Sequence, residues 1–579
     1  MARKPELAVL TAVLCGLLLF MGLGDLGLTD RDEGSNAEAA REMVDSGDWI
    51  TPTLNGEPRF AKPAFLYWLI GGTYRLLGVS EWTARLPSAL FASALILLQY
   101  WFLARARPAA TMLAFLGALM LLLNAEIVAI GRLVLTDSPL IFWTTLACFG
   151  FWLGLHGDEA DRRSRQWFWL LYVGMGLGTL TKGPIGIAVP LLAAGSYLTV
   201  SRRWPRFWRR GFPLAGLALF LAIAVPWYAT MLSIHGSRYT TSAQADTIGR
   251  FLNVIGGHGG TIFFYVPVLL LGFFPWSSLL PFALSQGLHR WRTYWREGTP
   301  DAPERSDELE LFAALWVVSV FAFFSLSATR LPHYIGPLFP AAAILAASYW
   351  LRALEDDTLR GVRTAFRLLV ILGSLVGLTL VVSPYLYATF VDKMTKEFPM
   401  AASVDPGTGP VTAGLLLIAG SSLAGYLGLS HDRRSAAFWV SAAMVLLVLV
   451  VSLQQILPRF SRNFVAPPQE LAYIAGVNLR PDDRLILYGP PRPSFLFYAK
   501  RRAILIKPGE EAQMQPHLTQ PGRTMILLPS RLKSTLPPEA KTFEPILEHY
   551  GYSLLSNEPM LKAAPDKPAA RDSGERSHK

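Results

Sequence analysis

Long apolar stretches separated by short polar segments run through most of the chain. A helix needs about 20 apolar residues to cross the hydrocarbon core of a bilayer. On that measure the pattern predicts thirteen spans, near 7–28, 83–103, 109–129, 134–156, 167–182, 183–200, 211–234, 261–285, 309–328, 334–353, 365–390, 411–429 and 436–457. Lys182-Gly183-Pro184 interrupts the pair over 167–200. The first stretch follows Met1-Ala2-Arg3-Lys4, is long, and lacks a small-residue cleavage site, so it reads as an anchor. After Pro458 the pattern changes. Short apolar runs at 485–488, 495–498, 503–506 and 525–528 are separated by Gly and Pro, with helical segments nearby. That alternation predicts a small α/β domain over 458–560, after a membrane domain over 1–457. Residues 561–579 are polar and rich in Pro and Ala, and are expected to be disordered.

Charge orients the predicted spans. Basic residues favour cytoplasmic loops, and alternate loops carry them: Arg105 and Arg107; Arg162, Arg163 and Arg165; Arg202, Arg203, Arg206, Arg209 and Arg210; Arg290, Arg292 and Arg296; Arg352, Arg360 and Arg363; Arg433 and Arg434. The opposite loops are short or acidic. The pattern predicts a cytoplasmic N-terminus, residues 29–82 outside, residues 201–210 and 286–308 inside, and the C-terminal domain outside.

Composition agrees with this reading. Of 579 residues, 52% are hydrophobic and only 16% charged, and mean hydropathy is +0.34. A soluble domain carries about 25% charged residues, so a string of soluble domains, a disordered chain, a coiled coil and a disulfide scaffold are all excluded. Cys15 and Cys148 both lie in apolar runs and read as small core residues. The net charge of +11 is accounted for by the cytoplasmic loops, so no nucleic-acid partner is expected.

Ionisable groups at membrane depth are costly and mark function by default. One predicted side of the membrane gathers an unusual set: Asp32 and Glu33 after the first span, Lys62, Arg132 and Asp137, Lys182, His258, and Arg330, His333 and Tyr334 before the tenth. Each has a plainer reading. Asp137, two residues before Pro139, fits a helix cap. Lys62, Lys182 and Arg330 fit cations reaching for lipid phosphate. Together, carboxylates and cations at one water–lipid boundary suit an anionic lipid head group and acid–base chemistry.

The same residues carry a family resemblance. In order they are Arg31-Asp32-Glu33, Ala61-Lys62-Pro63 with Leu66-Tyr67-Trp68, Arg132-x-x-x-Thr136-Asp137, Gly178-Thr-Leu-Thr-Lys182-Gly-Pro184, Gly272-Phe-Phe-Pro-Trp276 and Ser327-Ala-Thr-Arg330-Leu-Pro-His333-Tyr334. The chain resembles the bacterial branch of the protein O-mannosyltransferase superfamily, near the aminoarabinose transferases that modify lipid A. These are integral-membrane glycosyltransferases of the GT-C fold. The resemblance extends to a C-terminal periplasmic α/β domain with a Pro-Ser-x-x-Phe-Tyr element, here Pro493 to Tyr498.

The resemblance implies sugar transfer from a polyprenyl-phosphate donor to an acceptor on the periplasmic face of a bacterial inner membrane. It implies Asp32 as catalytic base, Asp137 as the second acidic residue, Lys62 as a donor-phosphate contact, and Tyr334 as the tyrosine of the tenth-span motif. Glu33 joins the catalytic candidates. Arg132, Lys182, His258, Arg330 and His333 join Lys62 and Tyr334 as candidates for binding donor phosphate or sugar. The sequence departs from the pattern in places. Gly34-Ser35-Asn36 replaces a common Ala-Arg-Tyr, Arg330 replaces a commoner Lys, and Ala61 stands where relatives have a Glu that helps bind a metal. No metal ligands and no cofactor are therefore assigned, and the need for a divalent metal stays open.

A phosphate leaving group needs charge stabilisation more than protonation, which Lys62, Lys182 or Arg330 would provide. An acceptor hydroxyl benefits from a carboxylate base. One base and an external acceptor imply inversion by single displacement, because nothing singles out a carboxylate nucleophile. Lipid A or another envelope glycolipid is the first acceptor class and a protein Ser or Thr the second. A transporter or flippase of polyprenyl-linked substrates is the competing class. It would place charges near the midplane on broken helices, whereas here they gather at one boundary, and no internal repeat is evident.

Overall fold

The computed structural model describes residues 5–158, 161–254, 257–297, 305–395 and 400–559. The expected polar tail over 561–579 lies outside the described residues. The chain divides into two compact units. The first comprises Met1–Ala466 together with Arg492–Phe497, and the second comprises Pro467–Pro491 and the chain from Tyr498 onward.

The first unit is mainly helical, and every predicted span window contains helix. Among the described residues, eight helices are long and apolar enough to cross a membrane: Glu81–Ala106, Asp137–His156, Pro213–Leu252, Glu308–Leu326, Pro332–Glu355, Val362–Met394, Gly409–Gly428 and His431–Asn478. A ninth is obtained if Thr111–Leu122 and Ala125–Gly131, bent by 67° at their junction, count as one. This leaves the expected thirteen unconfirmed, because several apolar windows hold shorter or broken helices among the described residues. Pro5–Phe20 and Ile185–Val200 have 16 residues each, or about 24 Å of helix against about 30 Å of hydrocarbon. The window over 261–285 breaks into Tyr265–Gly272, Trp276–Ser278 and the start of Leu280–Glu297 around Pro275. Cys15 and Cys148 are buried free thiols, as their apolar setting predicts.

The helices that place the site are α1 (Pro5–Phe20), α2 (Asp32–Ser46), α3 (Phe65–Leu77), α4 (Glu81–Ala106), α5 (Thr111–Leu122), α6 (Ala125–Gly131), α7 (Asp137–His156) and α8 (Phe168–Lys182). Helix α2 lies in a stretch expected to be a loop. Its Ala-rich sequence favours helix, and Arg41 pairs with Glu38 at 2.6 Å and Asp45 at 2.5 Å, one turn apart on either side. It ends at Gly47, whose φ of 75° suits glycine. A short hairpin follows, β1 (Thr53–Leu54) and β2 (Glu57–Pro58). Its Asn55-Gly56 turn has positive φ at both residues. Glu42 of α2 accepts from Thr53 Oγ1 at 2.6 Å and from the Asn55 and Gly56 amides at 2.6 and 3.1 Å, so the hairpin is tied to the helix.

The second unit holds a mixed five-stranded sheet in the order β4-β3-β5-β7-β6, built from β3 (Arg484–Tyr488), β4 (Ile504–Ile506), β5 (Thr524–Pro529), β6 (Glu544–His549) and β7 (Tyr552–Ser556). Strand β3 pairs parallel with β4 and β5, and β7 runs antiparallel to β5 and β6. Three of the four apolar runs are strands. The fourth, 495–498, is helical within Ser494–Ala499, because Pro493 suits a helix start and the Phe495 amide closes a turn on the Arg492 carbonyl at 3.0 Å.

Candidate functional site

Six helix ends and loops bring the candidate residues together. Asp32 occupies the first turn of α2, where a carboxylate favours the helix dipole. It is exposed, and among the described residues it makes no hydrogen bond or ion pair. Lys62 precedes α3. It is half-buried and likewise lacks a hydrogen-bonded or ionic partner among the described residues. Burial, with Lys182 beside it and Arg250 further off, pushes its ammonium down to about 8 against the opposing pull of Asp32 and Asp137. A cation held below its ordinary value, with no carboxylate in contact, is poised to receive an anion.

Asp137 opens α7 and is buried. Lys182, the last residue of α8, reaches it at 2.6 Å, and His333 Nε2 lies 3.9 Å from its other oxygen. The Lys182 ammonium also sits 4.6 Å over the Tyr334 ring, and His333 packs edge-on to the same ring at 5.1 Å. Asp137, Lys182, His333 and Tyr334 thus form one contiguous set, with Lys62 and Asp32 in electrostatic reach.

The sequence reading missed Arg250. It pairs with Asp246 at 2.9 Å and lies within electrostatic range of Lys62, Asp32 and Tyr334. The carbonyls of Arg250, Phe251 and Asn253 accept from Thr329 N, Ala328 N and Thr329 Oγ1 at 3.1, 2.8 and 2.7 Å. These bonds strap Arg250 to the segment that leads into His333 and Tyr334. The signal for it was the acid–base pair at i, i+4 in Asp246-Thr-Ile-Gly-Arg250. Glu126 of α6 was also passed over. Its Oε1 is buried with no hydrogen-bond partner among the described residues, and it feels the charge of Asp137.

Four candidates have other contacts. Glu33, proposed beside Asp32 as catalytic, is buried on the opposite side of the turn. It pairs with Arg85 of α4 at 2.7 Å and accepts from Thr29 N, Thr29 Oγ1 and Val134 N at 2.8, 2.9 and 3.1 Å. Burial raises its pKa, but Arg85 and these donors outweigh that and hold it below the usual carboxylate range. Both carboxylates sit in the first turn of α2. Arg132 is buried and donates to the carbonyls of Leu18 and Gly22 at 3.0 Å each, so it caps the end of α1 instead of facing a phosphate. Arg330 donates to the carbonyls of Gly260 and Ser325. His258 contributes its carbonyl, which accepts from Arg330 N at 2.8 Å. Arg330 and His258 therefore brace one loop against another. Among the described residues, no group of three or more His, Cys, Asp or Glu converges as a metal site.

The family model for dolichyl-phosphate-mannose-protein mannosyltransferases matches residues 32–240. The chain is 30% identical over 449 residues to the undecaprenyl phosphate-alpha-4-amino-4-deoxy-L-arabinose arabinosyl transferase of Edwardsiella ictaluri, covering 77% of this chain and 76% of that one. It is 31% identical over 348 residues to the enzyme of the same name from Pseudomonas aeruginosa strain UCBPP-PA14, covering 60% of each. Among solved structures, ArnT from Cupriavidus metallidurans bound to undecaprenyl phosphate superimposes with a TM-score of 0.77 at 22% identity, over 96% of this chain and 98% of that one. The two chains share a fold.

Proposed function

The chain belongs to the family of undecaprenyl phosphate–aminoarabinose arabinosyl transferases, multi-pass membrane glycosyltransferases, and we propose that it moves a pentosyl group from undecaprenyl phosphate onto lipid A. The observation that carries this reading is an open carboxylate, Asp32, in electrostatic reach of Lys62, a cation unpaired among the described residues, with the Asp137–Lys182 pair also in its range.

In this reading Lys62 and Arg250 hold the donor phosphate, and the Tyr334 ring packs against Lys182 beside it. The acceptor oxygen attacks the anomeric carbon from the face opposite the phosphate. The new C–O bond forms as the bond to the phosphate oxygen breaks. The electron pair stays on undecaprenyl phosphate, whose developing charge Lys62 and Arg250 stabilise. Asp32 takes the acceptor proton. Asp137 holds Lys182 in place through their ion pair and, with His333, fixes the wall of the site. One displacement inverts the anomeric centre. The deciding experiment incubates the purified protein with undecaprenyl phosphate-aminoarabinose and lipid A, and reads the products by mass spectrometry. A pentosamine mass added to lipid A supports the reading. Sugar found on a protein Ser or Thr overturns it, as does movement of intact donor across vesicles without transfer.

We place the site on the outer side of the bacterial inner membrane, with the N-terminus cytoplasmic, from the alternation of basic loops. Single cysteines at exposed Ser46 and Arg209 test this, since Cys15 and Cys148 are buried. In intact spheroplasts an impermeant maleimide is expected to label position 46 and spare 209. The reverse pattern inverts the topology.

Lys62→Ala is expected to weaken undecaprenyl phosphate binding by about 10- to 100-fold, the worth of a charge-assisted hydrogen bond at roughly 1.5–3 kcal/mol. The pH dependence follows from the sign of the shift. A depressed lysine is cationic below its folded value of about 8 and neutral above it, so affinity for undecaprenyl phosphate is expected to fall as pH rises through that region. The phosphate is doubly charged above about pH 6, which leaves Lys62 as the group that titrates. Lys62→Arg should bind and show no such fall. Isothermal titration across the range checks both, and an unchanged alkaline fall in the arginine variant removes Lys62 from the phosphate site.

A further inference from the structure

The segment Arg492–Phe497 folds with the membrane unit, although the chain on both sides of it belongs to the second unit. It lies against the N-terminus of α2, the turn that carries Asp32. Ser494 N donates to Asp30 Oδ1 at 3.0 Å, and Arg492 Nη1 donates to Asp30 Oδ2 at 3.4 Å. Gly34 closes the contact. A Cβ at position 34 would lie 2.6 Å from Ser494 N and 2.8 Å from Ser494 Cα. Both are backbone atoms, which cannot swing aside as a side-chain end does. The departure of this chain from the family pattern at Gly34 thus has a local cause: the helix approaches the 492–497 backbone too closely for any side chain.

We propose that Arg492, Ser494 and Asp30 are positioning residues that clamp the first turn of α2 and so aim Asp32 at the acceptor. The proposal rests on Asp32 being the base. The turn is held from two sides. Within it, Gly34 N bonds the Thr29 carbonyl at 3.0 Å and Ser35 N the Arg31 carbonyl at 3.1 Å. On one side Glu33 is fixed by Arg85 and Val134 N. On the other, Asp30 is fixed by Ser494 and Arg492. Asp32 is the carboxylate of this turn left without a bonded partner among the described residues. Burial of Asp30 works against its charged form, and Ser494 and Arg492 oppose that effect. Without the clamp the carboxyl loses the donors that repay its burial, and the first turn loses its fixed end. A base displaced by about 1 Å loses roughly 10²-fold in rate.

The test measures kcat, donor binding and thermal stability of purified full-length variants. Asp30→Ala is expected to lower kcat by about 10²-fold while donor affinity holds. Arg492→Ala, which removes the longer of the two contacts to Asp30, should give a smaller loss of the same kind. Arg492→Lys and Asp30→Asn, which keep an acceptor or a cation in place, should recover most of the rate. The decisive comparison is made in the Asp32→Asn background. If the clamp acts through Asp32, Asp30→Ala costs nothing further there. An equal loss in both backgrounds, or a parallel loss of donor affinity and stability, makes the contact purely structural and overturns the proposal. Full turnover by Asp30→Ala overturns it too. Full turnover by Asp32→Asn overturns instead the reading of Asp32 itself, and the clamp with it.

Discussion

Asp32→Asn is expected to bind undecaprenyl phosphate normally, fold normally, and transfer sugar 10²–10⁴-fold more slowly, a barrier increase of roughly 3–5 kcal/mol. The substitution keeps the shape of the side chain and removes its power to accept a proton. Stability should hold because Asp32 is exposed and bonds to nothing among the described residues. Donor affinity should hold or rise slightly, because the change deletes a negative charge within reach of Lys62, where the phosphate is to bind. Acceptor chemistry refines the expectation. A hydroxyl, or a lipid A phosphate in its singly protonated form, has a proton to give up to Asp32. A doubly charged phosphate, dominant above about pH 6, has none. The defect should therefore shrink as pH rises if the acceptor is a phosphate, and stay constant if it is a hydroxyl. Transfer and lipid binding measured on the same detergent-purified variant decide the matter, and near-normal turnover at every pH takes Asp32 out of the mechanism.

Hydropathy identified each helical window because the bilayer imposes a length and an apolar composition on anything that crosses it. It does not fix where each helix stops, because an apolar run carries no signal for a bend or break within it. The 67° bend between Thr111–Leu122 and Ala125–Gly131 and the break around Pro275 are local events inside apolar sequence. Helix α2 escaped notice because its sequence is polar, and its buried face is made of Ala, Gly, Ser, Asn and Glu with Met43 as its one large hydrophobe. Strand β6 escaped for a related reason, since Glu544, Pro545 and Glu548 on an edge strand break the apolar run. At the site, Lys62, Asp137, Lys182, His333 and Tyr334 converge as their motifs suggest. Arg132 and Arg330 do not, because in a sequence an arginine that binds backbone carbonyls looks the same as one that binds phosphate. Glu33 and Asp32 are neighbours in the chain. A helix turns about 100° per residue, so one is buried against α4 and the other is open to the site.

That difference makes Glu33→Ala the sharpest counterpart to Asp32→Asn. Glu33 is 2% exposed and Arg85 is 2% exposed. The carboxylate takes Arg85 Nε at 2.7 Å and Nη2 at 3.0 Å, two donors from Thr29, and the Val134 amide. Arg85 in turn holds the carbonyls of Leu23, Leu26 and Gly27, so the pair ties the end of α1, the start of α2, and the approach to α7 to one point on α4. Removing one partner leaves a buried charge uncompensated, at a cost of about 3–5 kcal/mol. The expected result is a sharp fall in thermal stability and in folded yield, with Arg85→Ala giving a similar fall. The double variant should lose much less than the sum, because the second deletion removes the charge that the first left stranded. The pH dependence has the carboxylate sign. Glu33 has a lowered pKa in the folded chain, so its contribution is fully present above the unfolded value of about 4.3 and is lost as pH falls through the folded one. Wild type should therefore lose stability in acid more steeply than Glu33→Ala. A Glu33→Ala protein that melts like wild type yet transfers no sugar would return Glu33 to the catalytic set and put the chemistry on the buried side of the turn.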